Sequence, residues 1–521
     1  MEQRNLSAVQ QPDWALFLPA VSSFYISGLG QQREGKQYFD PARIPPGFNG
    51  DVEKLNFLNS KEGLYTYKWG LYSAGHANLD TTADDPQESI IRKREEGTFM
   101  LGDSGGFQIL KGQWPADWKD PNCPKAMIKR KAVLNWMETY MDYGMCLDIP
   151  SMSLTTYHLK DPKTGKSAHG IQSIQQAIDA THINNEYFIK NREGKCKFLN
   201  VMQGQNHTQS DQWYDEMKKY CDPNIYPDNH FNGWAFGGQT KVDIHLTLKR
   251  LVNIIYDGLL VPGKHDLIHC LGISIMEYAV IFSDIQRSIR KYHNPNLRIT
   301  FDCASPFYSA AKGLAYFENT FEHNKKWAYR MEKTAENKKY STDNRKFRDA
   351  VLAEGIHKVF TDSPVTDKLL LNDLCYRGVG FINKQGKETK TSWDTLSYTL
   401  LQSHNVYQHI FAVQEANRKY DQGIVPAMVM NETFERVRFS EIVDEIFSQK
   451  DRQSSLDLIE QYSRFWMQLK AGSMGYSGKR AVNANTMFEQ LFTVEDTTDT
   501  IEDSEEDFQD SDEAITKVLG D

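Results

Sequence analysis

Polar side chains and glycines recur where short apolar segments of this sequence end. The residues concerned are Asp103, Asp148, Gln203, Gly237, Gly238 and Asp302. An isolated Asp after a strand commonly caps a helix or forms a turn, but three such acids at βα junctions, with glycine pairs beside other strands, indicate a shared site. Carboxylates collected in one pocket can act as nucleophiles and as proton donors or acceptors, so acid-base or covalent catalysis is the chemistry to expect.

Those residues follow predicted strands that alternate with predicted helices. From Asp103 to Asp302, successive strand ends are 31 to 55 residues apart, with helical patterns such as VDIHLTLKRLVNIIYDGL between them. An earlier strand is predicted over 14–26, and a long helix over about 125–143. Repeated βα units of this length indicate a parallel sheet. Because every strand of a (β/α)₈ barrel ends at the same mouth, whereas an open sheet uses chiefly one switch point, the predicted fold is an α/β protein of the (β/α)₈ TIM-barrel class with insertions.

The remainder of the 521-residue chain divides by composition. Residues 1–440 are predicted to form the barrel, 441–492 a C-terminal helical appendage, and 493–521 a disordered acidic tail. Residues 494–521 hold twelve acids and one lysine, so the net charge of −9 leaves about +2 for the rest of the chain. Such a tail cannot bury enough apolar surface to become ordered. It either keeps the protein soluble or shields a basic nucleic-acid groove from nonspecific binding.

A cytoplasmic location without a membrane partner is expected. The sequence has no apolar run long enough to span a bilayer, and its N-terminus lacks the features of a secretory signal. Its seven scattered cysteines form no evident disulfide framework.

Five short motifs occur in order along this predicted barrel: DSGGFQ at 103–108, LDIP at 147–150, NVMQGQ at 200–205, GWAFGG at 233–238 and FDCASP at 301–306. In these motifs the chain resembles the queuine/archaeosine tRNA-guanine transglycosylase superfamily. Its members exchange guanine for a 7-deazaguanine base within an intact nucleic acid. The resemblance covers residues 95–310 and, more weakly, 400–420.

The resemblance implies a role for each matching position. It makes Asp302 the nucleophile and Asp103 the general acid/base. The residues that would bind the base are Asp148, Gln203, Gly237 and Gly238 at the purine edge, Phe107 and Leu271 on its two faces, and Ser104 beside them. The glycines after Asp103 would let the backbone approach a flat ring. A covalent intermediate would hold the strand while the bases exchange, so no energy cofactor is expected.

Departures from the family pattern concern zinc and phosphate binding. The family usually binds zinc through three cysteines and a histidine, but only Cys375 and His404 remain here, with Asp373 and Gly378 at the other positions. No metal is therefore expected, and the zinc-supported dimer used on tRNA is in doubt. The usual Pro-Thr-Arg after the nucleophile reads Pro-Phe-Tyr at 306–308, which removes a guanidinium.

A basic insertion over 323–349 is a candidate nucleic-acid surface. Residues 324–348 carry nine Lys or Arg against three acids, with Trp327, Tyr329, Tyr340 and Phe347 interleaved. Such a mixture suits phosphate neutralisation and stacking on unpaired bases, although a charge run is commonly only a solvated face. The predicted contacts are Lys325, Lys326, Arg330, Lys338, Lys339 and Arg345.

With the acids kept and the tRNA-facing elements altered, the chain looks most like the DNA-acting branch found in phages and bacterial islands. The predicted function is replacement of guanine in DNA by a 7-deazaguanine such as preQ0, through a covalent Asp-nucleotide intermediate. The target would be flipped out or single-stranded, and partner proteins could open the duplex. The alternatives are a tRNA-guanine transglycosylase, a noncatalytic nucleic-acid-binding subunit of the same fold, and a plain nucleosidase or glycosidase.

Overall fold

Eight parallel strands form the centre of the computed structural model, which describes residues 4–151, 169–350, 363–382, 386–388, 391–430 and 438–474. The strands are β1 (Leu16–Pro19), β2 (Trp69–Ser73), β3 (Phe99–Asp103), β4 (Tyr143–Met145), β5 (Lys197–Met202), β6 (Gly233–Phe236), β7 (Leu267–Cys270) and β8 (Arg298–Cys303). Neighbours in the chain pair from β2 to β8, and β8 pairs with β1. A parallel bridge between Ala20 and Leu71 joins β1 to β2, so the sheet closes and the predicted (β/α)₈ barrel is confirmed.

Helices cover the outside of this barrel. They are α1 (Ser23–Arg33), α2 (Ser89–Arg92), α3 (Gly106–Leu110), α4 (Pro124–Tyr140), α5 (Ile174–Asn191), α6 (His207–Met217), α7 (Ile244–Tyr256), α8 (Tyr278–Tyr292), α9 (Ser305–Ala311), α10 (Thr395–Asp421), α11 (Phe439–Ser448), α12 (Arg452–Gln461) and α13 (Ser463–Met474). Further short elements are the one-turn helices Leu6–Val9 and Leu371–Leu374 and a two-residue strand pair, Arg4–Asn5 with Tyr65–Thr66.

The strands are almost continuously buried because helices cover their outer faces while side chains fill the lumen. In β8, Phe301 points outward and its ring contacts Phe17 and the α8 residue Phe282. Successive side chains of a strand alternate between faces, so Thr300 and Asp302 point into the lumen. Several barrel helices begin with a side-chain cap, as at α7, where Asp243 accepts from the N–H of Leu246.

Three local predictions differ from the structure. The predicted strand over 14–26 ends at Pro19, because Ser22 caps α1 and turns the apolar run into a helix. The predicted helix over 125–143 ends at Tyr140, and residue 143 begins β4. Strand β2 has no counterpart in the sequence prediction.

The segment after β8 leaves the barrel wall and returns to it. Helix α9 leads into an antiparallel hairpin of β9 (Leu314–Thr320) and β10 (Ala328–Lys333), and α10 then packs as the eighth outer helix. Asn405 of α10 donates to the carbonyls of Pro306 and Leu314 and accepts from the N–H of Tyr316. It thus fixes both the turn after Asp302 and the start of the hairpin.

Helices α11 to α13 form the appendage, which packs on α7 and α8. Lys291 of α8 pairs with Asp444 at 3.0 Å, and Lys470 of α13 pairs with Asp243 at 2.7 Å. The predicted acidic tail lies outside the described residues.

Within the part of the chain that the structure describes, no helix is both long enough and apolar enough to cross a membrane.

Candidate active site

The carboxyl ends of the barrel strands bring the predicted site residues to one mouth. Asp103 is the last residue of β3, Asp302 the penultimate residue of β8, and Gln203 directly follows β5. Asp148, Gly237 and Leu271 likewise follow the ends of β4, β6 and β7. Parallel strands of a barrel end on the same face, so six separate segments contribute to one site.

Asp302 has one carboxylate oxygen held and the other open. Its Oδ1 accepts from Nε2 of His269 at 3.1 Å and from the N–H of Gly272 at 2.8 Å. Among the described residues, Oδ2 accepts no hydrogen bond. The side chain is 11% exposed, at the open end of the lumen. A carboxylate gripped through one oxygen is oriented, yet it keeps lone pairs on the other oxygen for attack.

His269 lies beneath Asp302 in the lumen and was not predicted from the sequence. It is fully buried on β7, and its Nδ1 lies 2.9 Å from the hydroxyl of Thr300. Nε2 faces Asp302 and Nδ1 faces Thr300, so contacts at both ring nitrogens fix the orientation of the imidazole. The only sequence signal was a polar residue inside the apolar stretch DLIHCLG.

Replacing His269 should slow any reaction in which Asp302 acts as the nucleophile, without weakening substrate binding. Because a hydrogen bond to a charged group contributes about 1.5–3 kcal/mol, His269→Ala should lower kcat about 10- to 100-fold while KM changes little. His269→Gln keeps an N–H near the Nε2 position and should recover part of the rate. The matched control is His265→Gln, which removes another fully buried imidazole, one that contacts the carbonyl of Cys221. Equal losses in the alanine and glutamine variants would contradict the positioning role.

Asp103 accepts a hydrogen bond from the neighbouring strand and interacts electrostatically with Asp302. Its Oδ2 accepts from the hydroxyl of Ser73 at 2.6 Å, and the two residues are register partners on β3 and β2. Burial raises the pKa of the Asp103 carboxyl, the Ser73 hydrogen bond opposes that rise, and the negative charge of Asp302 adds to it. The two acids therefore lie within electrostatic reach of each other, and the raised pKa makes the Asp103 carboxyl easier to protonate than a free one.

Asp148 and Gln203 form a buried polar pair after β4 and β5, on the side of β3 away from Ser73. Nε2 of Gln203 donates to Oδ2 of Asp148 at 2.8 Å. Burial raises the pKa of Asp148 to about 7, against the effect of Gln203 and with a further contribution from the charge of Asp103. Gly237 is required here because a Cβ at that position would lie 2.7 Å from Nε2 of Gln203.

The raised pKa of Asp148 predicts a pH-dependent cost to stability. Folding raises its pKa from 3.8 to about 7, so the ionised carboxylate destabilises the folded state increasingly as the pH rises through this window and fully above it. Asp148→Asn should therefore raise the free energy of unfolding, by a margin on the order of 4 kcal/mol at about pH 8 and much less at about pH 5. Urea unfolding of both proteins at the two pH values measures this margin. A margin that does not grow with pH would show that Asp148 ionises without a penalty.

The residues predicted to hold the base faces are accessible at this mouth. Phe107 and Leu271 are both half-buried, whereas Ser104, Gly237 and Gly238 are buried. Gly105 adopts a φ of +80°, and a Cβ there would lie 2.6 Å from the Trp114 ring. The glycine directly after Ser104 is therefore required by packing against Trp114, a reason that the sequence alone did not reveal.

A lysine outside the five motifs also reaches the mouth. Lys241 is buried after β6, and its Nζ would lie 3.2 Å from a Cβ placed on Gly272. Gly272 is the residue whose N–H holds Asp302. One cation therefore lies close to the nucleophile candidate in a mouth that holds three acids.

The basic insertion is less suited to nucleic acid than its composition indicated. Arg330 pairs with Glu318 at 3.0 Å, Lys338 with Glu388 at 2.6 Å, and Arg345 with Asp343 at 2.7 Å. Lys325, Lys326 and Lys339 are exposed. Phosphate contacts by these six residues stay a prediction.

The interpretation of the interleaved aromatics as base-stacking platforms is wrong for three of the four in this conformation. Trp327, Tyr340 and Phe347 are at most 4% exposed, and they pack in the hydrophobic core. Tyr329 stacks on His409 at a centroid distance of 4.4 Å. Local composition showed their hydrophobicity but not that the fold buries three of them in the core.

The remaining zinc-type residues contact backbone carbonyls. Cys375 donates to the carbonyl of Ala335 at 2.9 Å, and Nε2 of His404 bonds to the carbonyl of Tyr316 at 2.7 Å. Burial raises the pKa of the Cys375 thiol to about 12, so it is not a ready thiolate. Among the described residues, no group of three or more His, Cys, Asp or Glu is arranged to hold a metal ion.

Comparison of the sequence with protein-family models gives no match, and comparison with curated proteins gives none either. The functional assignment therefore depends on the chemistry of this mouth and on the motif resemblance.

Proposed function

We propose that the protein is a base-exchange transglycosylase that replaces guanine in DNA with a 7-deazaguanine such as preQ0. The observation that carries the proposal is the joint placement of Asp103 and Asp302 at one barrel mouth, where burial raises the pKa of Asp103 and the charge of Asp302 adds to that rise. One acid is poised to carry a proton, and the other presents an open carboxylate oxygen. Cleavage through a covalent glycosyl-enzyme intermediate requires this pair of roles.

The reaction follows as two displacements at the sugar. Oδ2 of Asp302 attacks C1′ of the target nucleoside, the C1′–N9 bond breaks with its electron pair leaving on guanine, and protonated Asp103 supplies the proton that guanine takes up. After guanine departs, the 7-deazaguanine enters, and Asp103 removes the proton from its N9. That nitrogen then attacks C1′ and releases Asp302. No net proton is consumed, and the glycosidic bond energy is kept in the ester, so no energy cofactor is needed.

The rest of the mouth supplies recognition of a flat, hydrogen-bonding base. Asp148 in its carboxylate form can accept from the N1–H and N2–H groups of guanine, and the Gln203 amide can donate to O6. A shared guanine edge explains how one pocket accepts both the leaving and the entering base. Phe107 and Leu271, both half-buried, are placed to cover the two faces of the ring.

DNA is the favoured polymer because elements associated with tRNA in the family are altered here. His404 and Cys375 contact carbonyls of the chain itself, and Pro-Phe-Tyr replaces the expected Pro-Thr-Arg. A duplex hides the glycosidic bond, so the guanosine must be flipped out or supplied in a single strand.

An incorporation assay tests this proposal. The full chain is incubated with labelled preQ0 and either guanine-containing single-stranded DNA or tRNA, with Asp302→Asn as the inactive control. We expect label in DNA together with release of guanine. Label in tRNA alone would overturn the choice of DNA. Binding without incorporation would indicate a noncatalytic subunit, and release of base from free nucleosides would indicate a nucleosidase.

A further inference from the structure

The segment between α3 and the middle of α4 carries unneutralised positive charge beside Asp103. Residues 111–131, named here the β3 rim, contain six Lys or Arg and two Asp. Arg130 is fully buried and donates to Asn184 and to the carbonyl of Trp118. Within the described residues, Lys119, Lys125, Lys129 and Lys131 enter no salt bridge. The basic insertion differs, because acids neutralise three of its predicted contacts.

Two ammonium groups of the β3 rim are held by aromatic rings of the mouth. Nζ of Lys129 lies 4.4 Å from the centroid of the Trp114 ring, and Nζ of Lys111 lies 4.9 Å from the centroid of the Phe107 ring. Trp114 packs in turn against Gly105, two residues after Asp103. A cation–π contact orients an ammonium group without cancelling its charge, unlike a salt bridge. Lys129 therefore keeps both a fixed position and an attraction for anions.

The first turns of α4 extend this charge outward. Lys125 and Lys129 are four residues apart and lie on the same face of α4, with Ile128 beside them at 69% exposure. Lys125 is exposed, and Lys129 is half-buried against Trp114. The surface thus offers cations for phosphates and an apolar side chain for sugars or bases.

We infer that the β3 rim binds the phosphates of the DNA strand that flanks the target guanosine, with Lys125 and Lys129 as the principal contacts. The inference rests on the proposed function, because a guanosine seated between Asp103 and Asp302 brings its neighbouring phosphates to the edge of the mouth. The rim is continuous with the Asp103 loop, so it meets that strand directly. A lysine recognises phosphate charge rather than base identity, so the rim should bind flanking strands of any sequence.

The test measures binding of a fluorescent single-stranded, guanine-containing DNA oligonucleotide to the full chain at several salt concentrations. Removing two phosphate contacts should weaken binding about tenfold and reduce the slope of log K against log salt by about 1.4 for a single strand. The variant is Lys125→Ala with Lys129→Ala. Its matched control is Lys190→Ala with Lys264→Ala, two exposed lysines at the opposite end of the barrel. Lys125→Glu, a charge reversal at an exposed position, provides a second variant that keeps Lys129 and its contact with Trp114.

Parallel assays of base exchange separate failure of this inference from failure of the proposed function. Reduced affinity and slope in both rim variants, with an unchanged control, support the inference. Wild-type affinity and slope in the rim variants, while base exchange into DNA persists, would overturn the inference alone. If the wild-type protein neither binds the oligonucleotide nor exchanges base in it, the proposed function fails and the rim inference fails with it.

Discussion

Asp302→Asn should reduce base exchange at least about 10⁴-fold, the scale of loss seen when a covalent nucleophile is removed. An amide oxygen is a poor nucleophile, yet the asparagine can still accept hydrogen bonds from His269 and the N–H of Gly272. The fold and the binding of nucleic acid should therefore survive. The rate of labelled guanine incorporation into DNA measures the loss, and oligonucleotide affinity verifies that the site is intact.

The matched control for this change is Asp266→Asn. Asp266 directly precedes β7 at the opposite end of the barrel, where it accepts from the N–H of Gly263 at 2.9 Å. The same chemical change at that position should leave the exchange rate within about twofold of wild type, since surface changes away from a site have small effects. Exchange by Asp302→Asn at a rate near wild type would exclude the assigned nucleophile.

Asp103→Asn should lower the exchange rate about 10²- to 10⁴-fold, the usual contribution of a positioned general acid or base. Asparagine can still accept from Ser73, but it has no proton to give to departing guanine and cannot take one from the entering base. The loss should depend on the leaving group. An oligonucleotide carrying 7-methylguanine has a cationic base that departs without protonation, and the pocket must already accommodate a substituent at position 7 of the incoming base.

The 7-methylguanine substrate therefore separates the two acids. Release of this base, measured by chromatography, should be nearly restored in Asp103→Asn and should stay abolished in Asp302→Asn. Restoration in neither variant would contradict proton transfer by Asp103. Restoration in both would mean that Asp302 forms no covalent bond to the sugar.

The barrel could be predicted from the sequence because polar residues stand where its apolar strands end. Apolar runs stop at Asp103, Gln203 and Asp302, and helical patterns of suitable length lie between them. Strand β2 could not be identified in this way. WGLYS is short and contains Gly70, and it is recognisable as a strand only through its pairing with β3, where Ser73 meets Asp103.

Contacts between segments that are far apart in the sequence could not be predicted from local sequence patterns. His269 reads as one polar residue in an apolar stretch, and its role emerges only when β7 lies beside β8 and places it under Asp302. The composition of the basic insertion did not show that Glu318 and Glu388, outside 323–349, pair with two of its cations. Trp114 and Lys129 are fifteen residues apart, and the fold joins them into one rim beside the Asp103 loop.

The most direct test of the central claim is to locate the covalent bond between the protein and its substrate. The full chain is mixed with a guanine-containing DNA oligonucleotide, quenched with acid during turnover, and examined by mass spectrometry as intact protein and after proteolysis. We expect an adduct with the mass of the oligonucleotide less guanine, attached to the peptide at Asp302 and absent from Asp302→Asn. Base exchange without any adduct, or with an adduct on another residue, would contradict the mechanism.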